Sequence, residues 1–274
     1  MAYIQDNSKK ITTHTFLSKK RNGEKITVLT AYDCFTAGLL DRAGIDSILV
    51  GDSVGNVIHG FDNTLPVTMD IMLAHTAAVR RGTRRALLIA DMPFLSFQSS
   101  LKTAIENAGR FLKEAGAEAV KVEGGLEMTA TVKRLIECGI PVMGHIGLTP
   151  QSIHRFGGPR IQGKKDWSRS YLMESALALE EAGCFSMVLE LVDAELAAEI
   201  TSTLKRAATI GIGAGPGCDG QVLVINDILG LREEGFKPKF LREYANLKPT
   251  ITEAVEKYIK DVQEGNYPNE DESY

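Results

Sequence analysis

The sequence predicts an α/β fold, a (β/α)8 TIM barrel in a single domain over residues 1–274, with an extra N-terminal helix. Three observations point to this class. The chain has 274 residues, close to the roughly 250 that such barrels commonly contain. Eight short apolar or β-branched runs alternate with longer amphipathic stretches, as expected for parallel βα units. Glycine follows several of the amphipathic stretches, at the position where a helix would end.

The eight runs predict the strands of the barrel. Most are apolar throughout, which is typical of parallel strands that are buried on both faces. They are 26–31 (ITVLTA), 47–51 (SILVG), 86–91 (ALLIAD), 119–123 (AVKVE), 141–146 (PVMGHI), 186–191 (SMVLEL), 209–214 (TIGIGA) and 222–225 (VLVI). An open, doubly wound sheet stays possible at this point, because the number of strands alone does not prove that the sheet closes.

Glycines and capping residues predict where the intervening helices begin and end. The expected helix C-termini lie at Gly44, Gly116, Gly139 and Gly183. The expected N-termini lie at Thr68 or Asp70 and at Ser99.

Two segments lie outside the eight βα units. Residues 8–21 contain Phe16 and Leu17 among lysines, and we expect this segment to cover the amino-terminal end of the barrel. Residues 251–262 have the apolar periodicity of a helix. The acidic, polar tail 263–274 is expected to fray.

Composition excludes several classes of protein. The chain is 44% hydrophobic and 24% charged, with 26 Gly and 9 Pro, so it is neither disordered nor collagen-like. A net charge of -4 provides no positive field for nucleic acid. No apolar run reaches the roughly 18 residues of a membrane span, and residues 1–10 lack the apolar core of a signal peptide. We therefore expect a cytoplasmic protein whose four scattered cysteines are reduced.

Acidic residues stand at the carboxyl ends of four predicted strands, where barrel enzymes carry their catalytic groups. They are Asp52, Asp91, Glu123 and Glu190, and the strand that ends in Glu123 also carries Lys121. Four carboxylates facing one lysine would be costly to bury without a cation. All-oxygen ligands favour Mg²⁺, while His145 at the end of the fifth strand leaves zinc or cobalt as a weaker possibility.

Each of these residues also has a purely structural interpretation. A single aspartate at a strand end is often the cap of the next helix, and Lys121 and Glu123 share a strand face on which they could form an inert salt bridge. His145 could be a core histidine. Long segments after the second and fifth strands, 52–67 and 147–166, favour binding walls on the same face.

Six segments together carry a more specific signal. They are 51–81 (GDSVGNVIHGFDNTLPVTMDIMLAHTAAVRR), 90–94 (ADMPF), 120–125 (VKVEGG), 144–152 (GHIGLTPQS), 188–190 (VLE) and 210–215 (IGIGAG). In this order, across residues 8–262, the chain resembles the ketopantoate hydroxymethyltransferase family. The resemblance implies transfer of a hydroxymethyl group from the co-substrate 5,10-methylenetetrahydrofolate to 3-methyl-2-oxobutanoate, giving 2-dehydropantoate in pantothenate and coenzyme A synthesis. It also implies a cytoplasmic homo-oligomer, typically a homodecamer.

The resemblance also implies roles for individual residues. Those expected to hold Mg²⁺ are Asp52, Asp91 and Glu123. Those expected to contact the substrate are Asp52, Ser53, Asp91, Lys121 and His145. Glu190 is the expected proton acceptor.

Two positions depart from the family pattern. Leu191-Val192-Asp193 follows Glu190 where relatives often have Cys-Val-Pro, and Asn226 stands where a histidine is common. These departures leave open the conformation of the loop after the sixth strand and the identity of the residues that contact folate.

The residue types agree with such chemistry. The carboxylate and ketone of a 2-oxo acid can chelate Mg²⁺, which then stabilises the enolate formed when the adjacent carbon loses its proton. Two other classes remain open. One is a magnesium-dependent lyase or mutase acting on phosphoenolpyruvate- or isocitrate-like acids, which should carry a nucleophilic cysteine or additional lid arginines. The other is a non-catalytic, metabolite-binding barrel.

Overall fold

The computed structural model describes residues 9–232 and 237–274. Eight parallel strands form a closed barrel in chain order, and the last strand pairs with the first. The strands are β1 (Ile26–Thr30), β2 (Ser47–Val50), β3 (Leu87–Asp91), β4 (Ala119–Glu123), β5 (Val142–Gly147), β6 (Ser186–Glu190), β7 (Ala208–Ile212) and β8 (Gly220–Leu223). The closed order confirms the predicted barrel and excludes the open sheet.

The chain forms two compact units, Met1–Val224 and Ile225–Tyr274. All eight strands belong to the first unit. Its helices are α1 (Thr13–Asn22), α2 (Cys34–Ala43), α3 (Val54–Val57), α4 (Met69–Gly82), α5 (Leu101–Lys113), α6 (Thr129–Glu137), α7 (Ile153–Phe156), α8 (Asp166–Ala182) and α9 (Ala194–Thr203). The helices in the described part of the second unit are α10 (Ile225–Ile228) and α11 (Leu247–Glu264). Single turns of 3-10 helix occur at Leu126–Met128, Pro150–Ser152 and Glu270–Glu272.

Three of the six predicted helix ends are found in the structure. Thr68 caps the N-terminus of α4, and Gly44 and Gly183 end α2 and α8 in the left-handed conformation. The start predicted at Ser99 is wrong by one residue, because the hydroxyl of Ser100 accepts the capping hydrogen bond.

Two other predicted helix ends are displaced. Gly116 and Gly139 have positive φ angles, but α5 and α6 are capped before them, at Glu114 and Cys138. At both places the left-handed glycine turns the chain toward the next strand rather than capping the helix itself.

The largest boundary errors concern the last two strands. The predicted runs 209–214 and 222–225 lie one or two residues too far along the chain, since the strands are Ala208–Ile212 and Gly220–Leu223. Gly220 pairs with both Ile26 and Ile210, and a Cβ at this position would overlap the Ile26 carbonyl oxygen. A glycine that is required by close strand packing carries no β-branched signal, so the sequence pattern missed it.

Helix α1 lies at the amino-terminal end of the barrel, as expected for the segment 8–21, of which residue 8 is outside the described residues. Phe16 is fully buried and meets Phe185 edge to face, with ring centroids 5.4 Å apart. It shares one core cluster with the first residues of β1, β3, β4 and β7. The polar residues predicted for the site lie at the opposite end of the barrel, at the carboxyl ends of the strands.

None of the four cysteines forms a disulfide in the structure; Cys34 and Cys138 are exposed, and Cys184 and Cys218 are buried. Within the described part of the chain, no helix has both the length and the apolar character needed to cross a bilayer.

Candidate active site

Seven polar residues predicted from the sequence meet at the carboxyl end of the barrel. They line one cavity of about 140 Å³, which we call the mouth cavity. They are Asp52 and Ser53 after β2, Asp91 at the end of β3, Lys121 and Glu123 in β4, His145 in β5 and Glu190 at the end of β6. The structure therefore brings together every site residue that the sequence singled out.

Asp52, Asp91 and Glu123 form a compact, buried acidic cluster in which one carboxylate oxygen of each lies within 4.8 Å of the other two. Burial raises the pKa of Asp52 well above its usual value, and the charges of Asp91 and Glu123 raise it further. Three adjacent carboxylates cannot all ionise at low cost without a cation. An all-oxygen set of this kind suits Mg²⁺, so the cluster fits a hard divalent ion.

Lys121 provides the single ammonium group beside these acids in the described lining of the cavity. Its Nζ lies 2.8 Å from Asp91 Oδ1 and 3.6 Å from Glu123 Oε1. Burial alone would lower the pKa of Lys121, but the two carboxylates outweigh burial and raise it. The pair with Glu123 considered in the sequence therefore exists, and the shorter contact is with Asp91.

His145 lies between two carboxylates. Its Nδ1 is 3.3 Å from Glu123 Oε1, and its Nε2 is 3.2 Å from Glu190 Oε2. Burial and Lys121 would lower the pKa of His145, yet Glu123 and Glu190 raise it to about 9. The Nδ1 also lies 3.1 Å from the Lys121 Nζ, so this nitrogen faces both a carboxylate and an ammonium group, whereas Nε2 faces Glu190. Because the clustered side chains are all carboxylates and His145 is not among them, the geometry favours an oxygen-liganded cation over zinc or cobalt.

Glu190 is positioned by close packing between β5 and β6. It pairs in the sheet with Gly147, whose φ is +100°, and a Cβ at Gly147 would overlap the Glu190 carbonyl oxygen. The Glu190 side chain is 20% exposed, whereas that of Glu123 is 3% exposed. Glu190 is therefore the most accessible carboxylate of the mouth cavity and can exchange protons with a ligand.

Ser53 occupies the opening turn of the segment after β2. Its hydroxyl lies 2.8 Å from the Tyr32 hydroxyl, so the two groups share a hydrogen bond. This contact fixes the Ser53 side chain at the rim of the mouth cavity, where it can donate to an anionic ligand.

Gln151 is a site residue that the sequence reasoning did not single out. Its side-chain amide donates to Asp52 Oδ2 at 3.0 Å, and its backbone N–H donates to Glu123 Oε2 at 3.1 Å. Gln151 thus orients two of the three clustered acids, as residues behind metal ligands commonly do. The sequence did contain a signal for Gln151, because this residue lies within the GHIGLTPQS segment that carries the family resemblance.

The two departures from the family pattern lie at the start of the helices that follow β6 and β8. Asp193 is the N-cap of α9, where its carboxylate accepts from the backbone N–H of Leu196. Asn226 is the second residue of α10.

Comparison with known proteins identifies the family. Residues 10–270 match the family model described as ketopantoate hydroxymethyltransferase. The chain belongs to the ketopantoate hydroxymethyltransferase family. The match covers nearly the whole length and confirms the resemblance drawn from the six sequence segments.

Curated relatives of this family are similar along almost the entire chain. A 3-methyl-2-oxobutanoate hydroxymethyltransferase of Syntrophus aciditrophicus is 55% identical over 270 residues, covering 98% of each chain. The enzyme of the same name from Geotalea uraniireducens is 57% identical, covering 94% of this chain and 96% of its own. That of Thermotoga neapolitana is 57% identical and covers 93% of both.

Solved structures of other families share the fold of this ketopantoate hydroxymethyltransferase family member. A 2,3-dimethylmalate lyase of the PEP mutase/isocitrate lyase superfamily has a TM-score of 0.57 at 15% identity, covering 96% of this chain and 91% of its own. A phosphonopyruvate hydrolase in complex with oxalate and Mg²⁺ has a TM-score of 0.60 at 14% identity, covering 96% and 93%. At such identities the likeness concerns the barrel alone.

Proposed function

We propose that this chain transfers a hydroxymethyl group from 5,10-methylenetetrahydrofolate to 3-methyl-2-oxobutanoate, forming 2-dehydropantoate for pantothenate synthesis. The observation that carries the proposal is identity of 55% to 57% over nearly the whole chain with enzymes named for this reaction. The mouth cavity supports it, because its acids, ammonium group and imidazole are the groups that enolisation of a 2-oxo acid requires.

The transfer needs one proton removal and one carbon–carbon bond. The C3 carbon of 3-methyl-2-oxobutanoate loses its proton and forms a bond to the methylene carbon, while both carbon–nitrogen bonds that join this carbon to N5 and N10 of folate break. Water supplies the hydroxyl oxygen, and the C3 proton and one proton of water replace the methylene carbon on the two nitrogens. Tetrahydrofolate then leaves. The demanding step is loss of the C3 proton, since negative charge must develop on the neighbouring ketone oxygen.

Asp52, Asp91 and Glu123 would hold Mg²⁺ in this site, with Gln151 orienting two of them. When bound, the cation supplies positive charge that stabilises the negative charge developing on the oxo acid. Binding it would also relieve the repulsion that raises the pKa of Asp52.

Glu190 is proposed as the base that accepts the C3 proton. It is the accessible carboxylate of the mouth cavity, and the Nε2 of His145 lies 3.2 Å from its Oε2, which fixes the direction of the side chain. General bases of this kind typically contribute about 10²- to 10⁴-fold to the rate. His145 is therefore a positioning residue that acts through Glu190 and also lines the substrate cavity.

Lys121 and Ser53 are proposed to bind the anionic oxo acid. The Lys121 ammonium is buried at the mouth and is kept protonated by the surrounding acids. The Ser53 hydroxyl is anchored by Tyr32 at the rim. Together they would hold the carboxylate of the substrate while its C3 hydrogen faces Glu190.

Replacing Lys121 with alanine should raise KM for 3-methyl-2-oxobutanoate about 10- to 100-fold, because a hydrogen bond between charged groups is lost. Steady-state kinetics at saturating Mg²⁺ and folate measure this change. Lys102→Ala, at an exposed position on α5, is the matched control and should leave KM unchanged. An unchanged KM in Lys121→Ala would assign Lys121 to a purely structural ion pair with Asp91.

Turnover with defined substrates separates this function from the lyase and mutase class. Product should form only when 3-methyl-2-oxobutanoate, methylenetetrahydrofolate and Mg²⁺ are all present, and EDTA should abolish it. Cleavage of 2,3-dimethylmalate or phosphonopyruvate instead would favour the other class. Within the described lining of the mouth cavity there is neither a cysteine nor an arginine, which disfavours that alternative.

We also propose that the chain self-associates, as the homodecamer that the family resemblance implies. Helix α11 exposes a continuous apolar face, and large apolar surfaces of this kind mark interfaces. Its members, each between 46% and 58% exposed, are Ile251, Val255, Tyr258, Ile259 and Val262.

We also propose a cytoplasmic location for the protein. The four free cysteines support it, because thiols stay reduced in that compartment.

Sedimentation velocity tests the assembly. We expect a species of ten chains of 29.8 kDa each. Val255→Glu and Ile259→Glu together should shift the distribution to smaller species, because two charges on the apolar face would have to be buried. Glu256→Lys on the same helix is the control. A parent protein that sediments as a monomer would contradict the proposal.

A further inference from the structure

A second cavity lies beside the mouth cavity on the same face of the barrel. It has a volume of about 310 Å³, and we call it the side cavity. Pockets for drug-sized ligands typically span about 300–1,000 Å³. The mouth cavity, at about 140 Å³, is below this range and suits a small oxo acid alone. A folate co-substrate therefore needs space outside the mouth, and the side cavity has the required size.

Residues that are neighbours in the chain line the two cavities at the carboxyl ends of β4 and β5. Gly124 of the side cavity directly follows Glu123 of the mouth, and Thr149 directly precedes Pro150 of the mouth. Gly125 also lines the side cavity, where a Cβ would overlap the Ser175 hydroxyl. Gly147 lines the side cavity and pairs with Glu190 in the sheet, so a ligand in the side cavity lies beside residues that adjoin Glu123 and Glu190.

The lining of the side cavity suits a flat heterocycle. The cavity has an aromatic lining formed by Phe156, Trp167 and Tyr171. Trp167 is the second residue of α8, and it is 71% exposed. Exposed aromatic faces of this kind stack on planar ligands. Among the described lining residues, Glu127 provides the carboxylate and Arg155 the guanidinium.

Two hydrogen bonds orient the carboxylate of Glu127. The Tyr171 hydroxyl donates to its Oε2 at 2.5 Å, and the Gly125 N–H donates to its Oε1 at 3.2 Å. Burial alone would raise the pKa of Glu127, but the bond from Tyr171 and the backbone bonds outweigh it and lower the pKa. Each oxygen of an ionised carboxylate can accept a second bond, so Glu127 can still bind a neighbouring N–H and NH₂ pair.

We infer that the side cavity binds the pterin ring of the folate co-substrate, stacked on Trp167, with its N–H and NH₂ edge donating to Glu127. Arg155 then provides a cation for the carboxylates of the folate tail. This placement rests on the proposed function and locates its second substrate. The methylene carbon, which belongs to the ring system, faces the mouth across the ends of β4 and β5.

Binding of 5-formyltetrahydrofolate, an analogue that cannot donate a methylene group, tests the inference. Trp167 is the single tryptophan of the chain, so its fluorescence reports directly on the side cavity. We expect quenching in the parent protein. By calorimetry, Glu127→Gln should weaken binding about 10- to 100-fold, since a charged hydrogen-bond acceptor becomes neutral. Glu174→Gln, an exposed position on the same helix as Trp167, is the control and should bind with parental affinity.

Kinetics provide an independent readout. In Glu127→Gln, KM for methylenetetrahydrofolate should rise by a similar factor while KM for 3-methyl-2-oxobutanoate does not. Trp167→Ala, at a position too exposed to be needed for folding, should also weaken binding of the analogue. Parental affinity in both Glu127→Gln and Trp167→Ala would overturn the inference. A parent protein without hydroxymethyl transfer would instead contradict the proposed function, whichever result the binding measurement gives.

Discussion

Glu190→Gln should slow exchange of the C3 hydrogen of 3-methyl-2-oxobutanoate for deuterium by about 10²- to 10⁴-fold, the typical effect of losing a general base. The parent protein with Mg²⁺ in heavy water should perform this exchange without any folate, because enolisation precedes transfer. Glutamine keeps the size and polarity of the side chain beside His145 Nε2, but it cannot accept the proton. Proton NMR follows the loss of the C3 signal.

A control variant and a second variant separate the base from its neighbours. Glu195→Gln changes an exposed acid in the first turn of α9 and should exchange at the parental rate. His145→Gln should slow exchange less than Glu190→Gln if the imidazole only positions the carboxylate. Parental exchange in Glu190→Gln, together with complete loss in His145→Gln, would make His145 the base.

Asp91→Asn should raise the Mg²⁺ concentration for half-maximal activity by at least about 10- to 100-fold, the range seen even for residues behind metal ligands. EDTA should abolish activity in the parent protein, and added Mg²⁺ should restore it. The fold should survive the substitution, because an asparagine oxygen can still accept the hydrogen bond that Asp91 Oδ2 receives from the Asp52 N–H. Activity titrations and the thermal unfolding midpoint measure the two effects separately.

The matched control for this experiment is Asp62→Asn, an exposed aspartate in the segment that follows β2. It should leave the Mg²⁺ requirement unchanged. Full activity of Asp91→Asn at low Mg²⁺ would remove Asp91 from the ligand set and leave Asp52 and Glu123 as the remaining carboxylates.

The sequence predicted the barrel well because its strands are short apolar runs with little ambiguity. The run 119–123 coincides with β4, and 186–191 exceeds β6 by one residue. The errors at β8 and at Ser99 have local causes. Gly220 is required by packing rather than by propensity, and two adjacent serines can both cap α5, so that only the hydrogen bond of Ser100 decides between them.

The candidate site was predictable only where residues follow strands. Asp91, Glu123 and Glu190 end their strands, so the general rule for barrels placed them together. The rule did not predict Gln151, because this residue lies in a 3-10 turn after β5 rather than at a strand end. Its side chain reaches Asp52 only through the conformation of the loop. The side cavity was hidden for the same reason, since Glu127 and Tyr171 are 44 residues apart and meet only in the folded chain.

The most direct test of the account follows the transferred carbon itself. The parent protein is incubated with Mg²⁺, 3-methyl-2-oxobutanoate and methylenetetrahydrofolate labelled with ¹³C at the methylene carbon, and the products are examined by ¹³C NMR. We expect a new enriched signal from the hydroxymethyl carbon of 2-dehydropantoate, and no such signal in EDTA. Label that remains on folate or is released only as formaldehyde, in a protein that binds Mg²⁺ and the oxo acid, would contradict it.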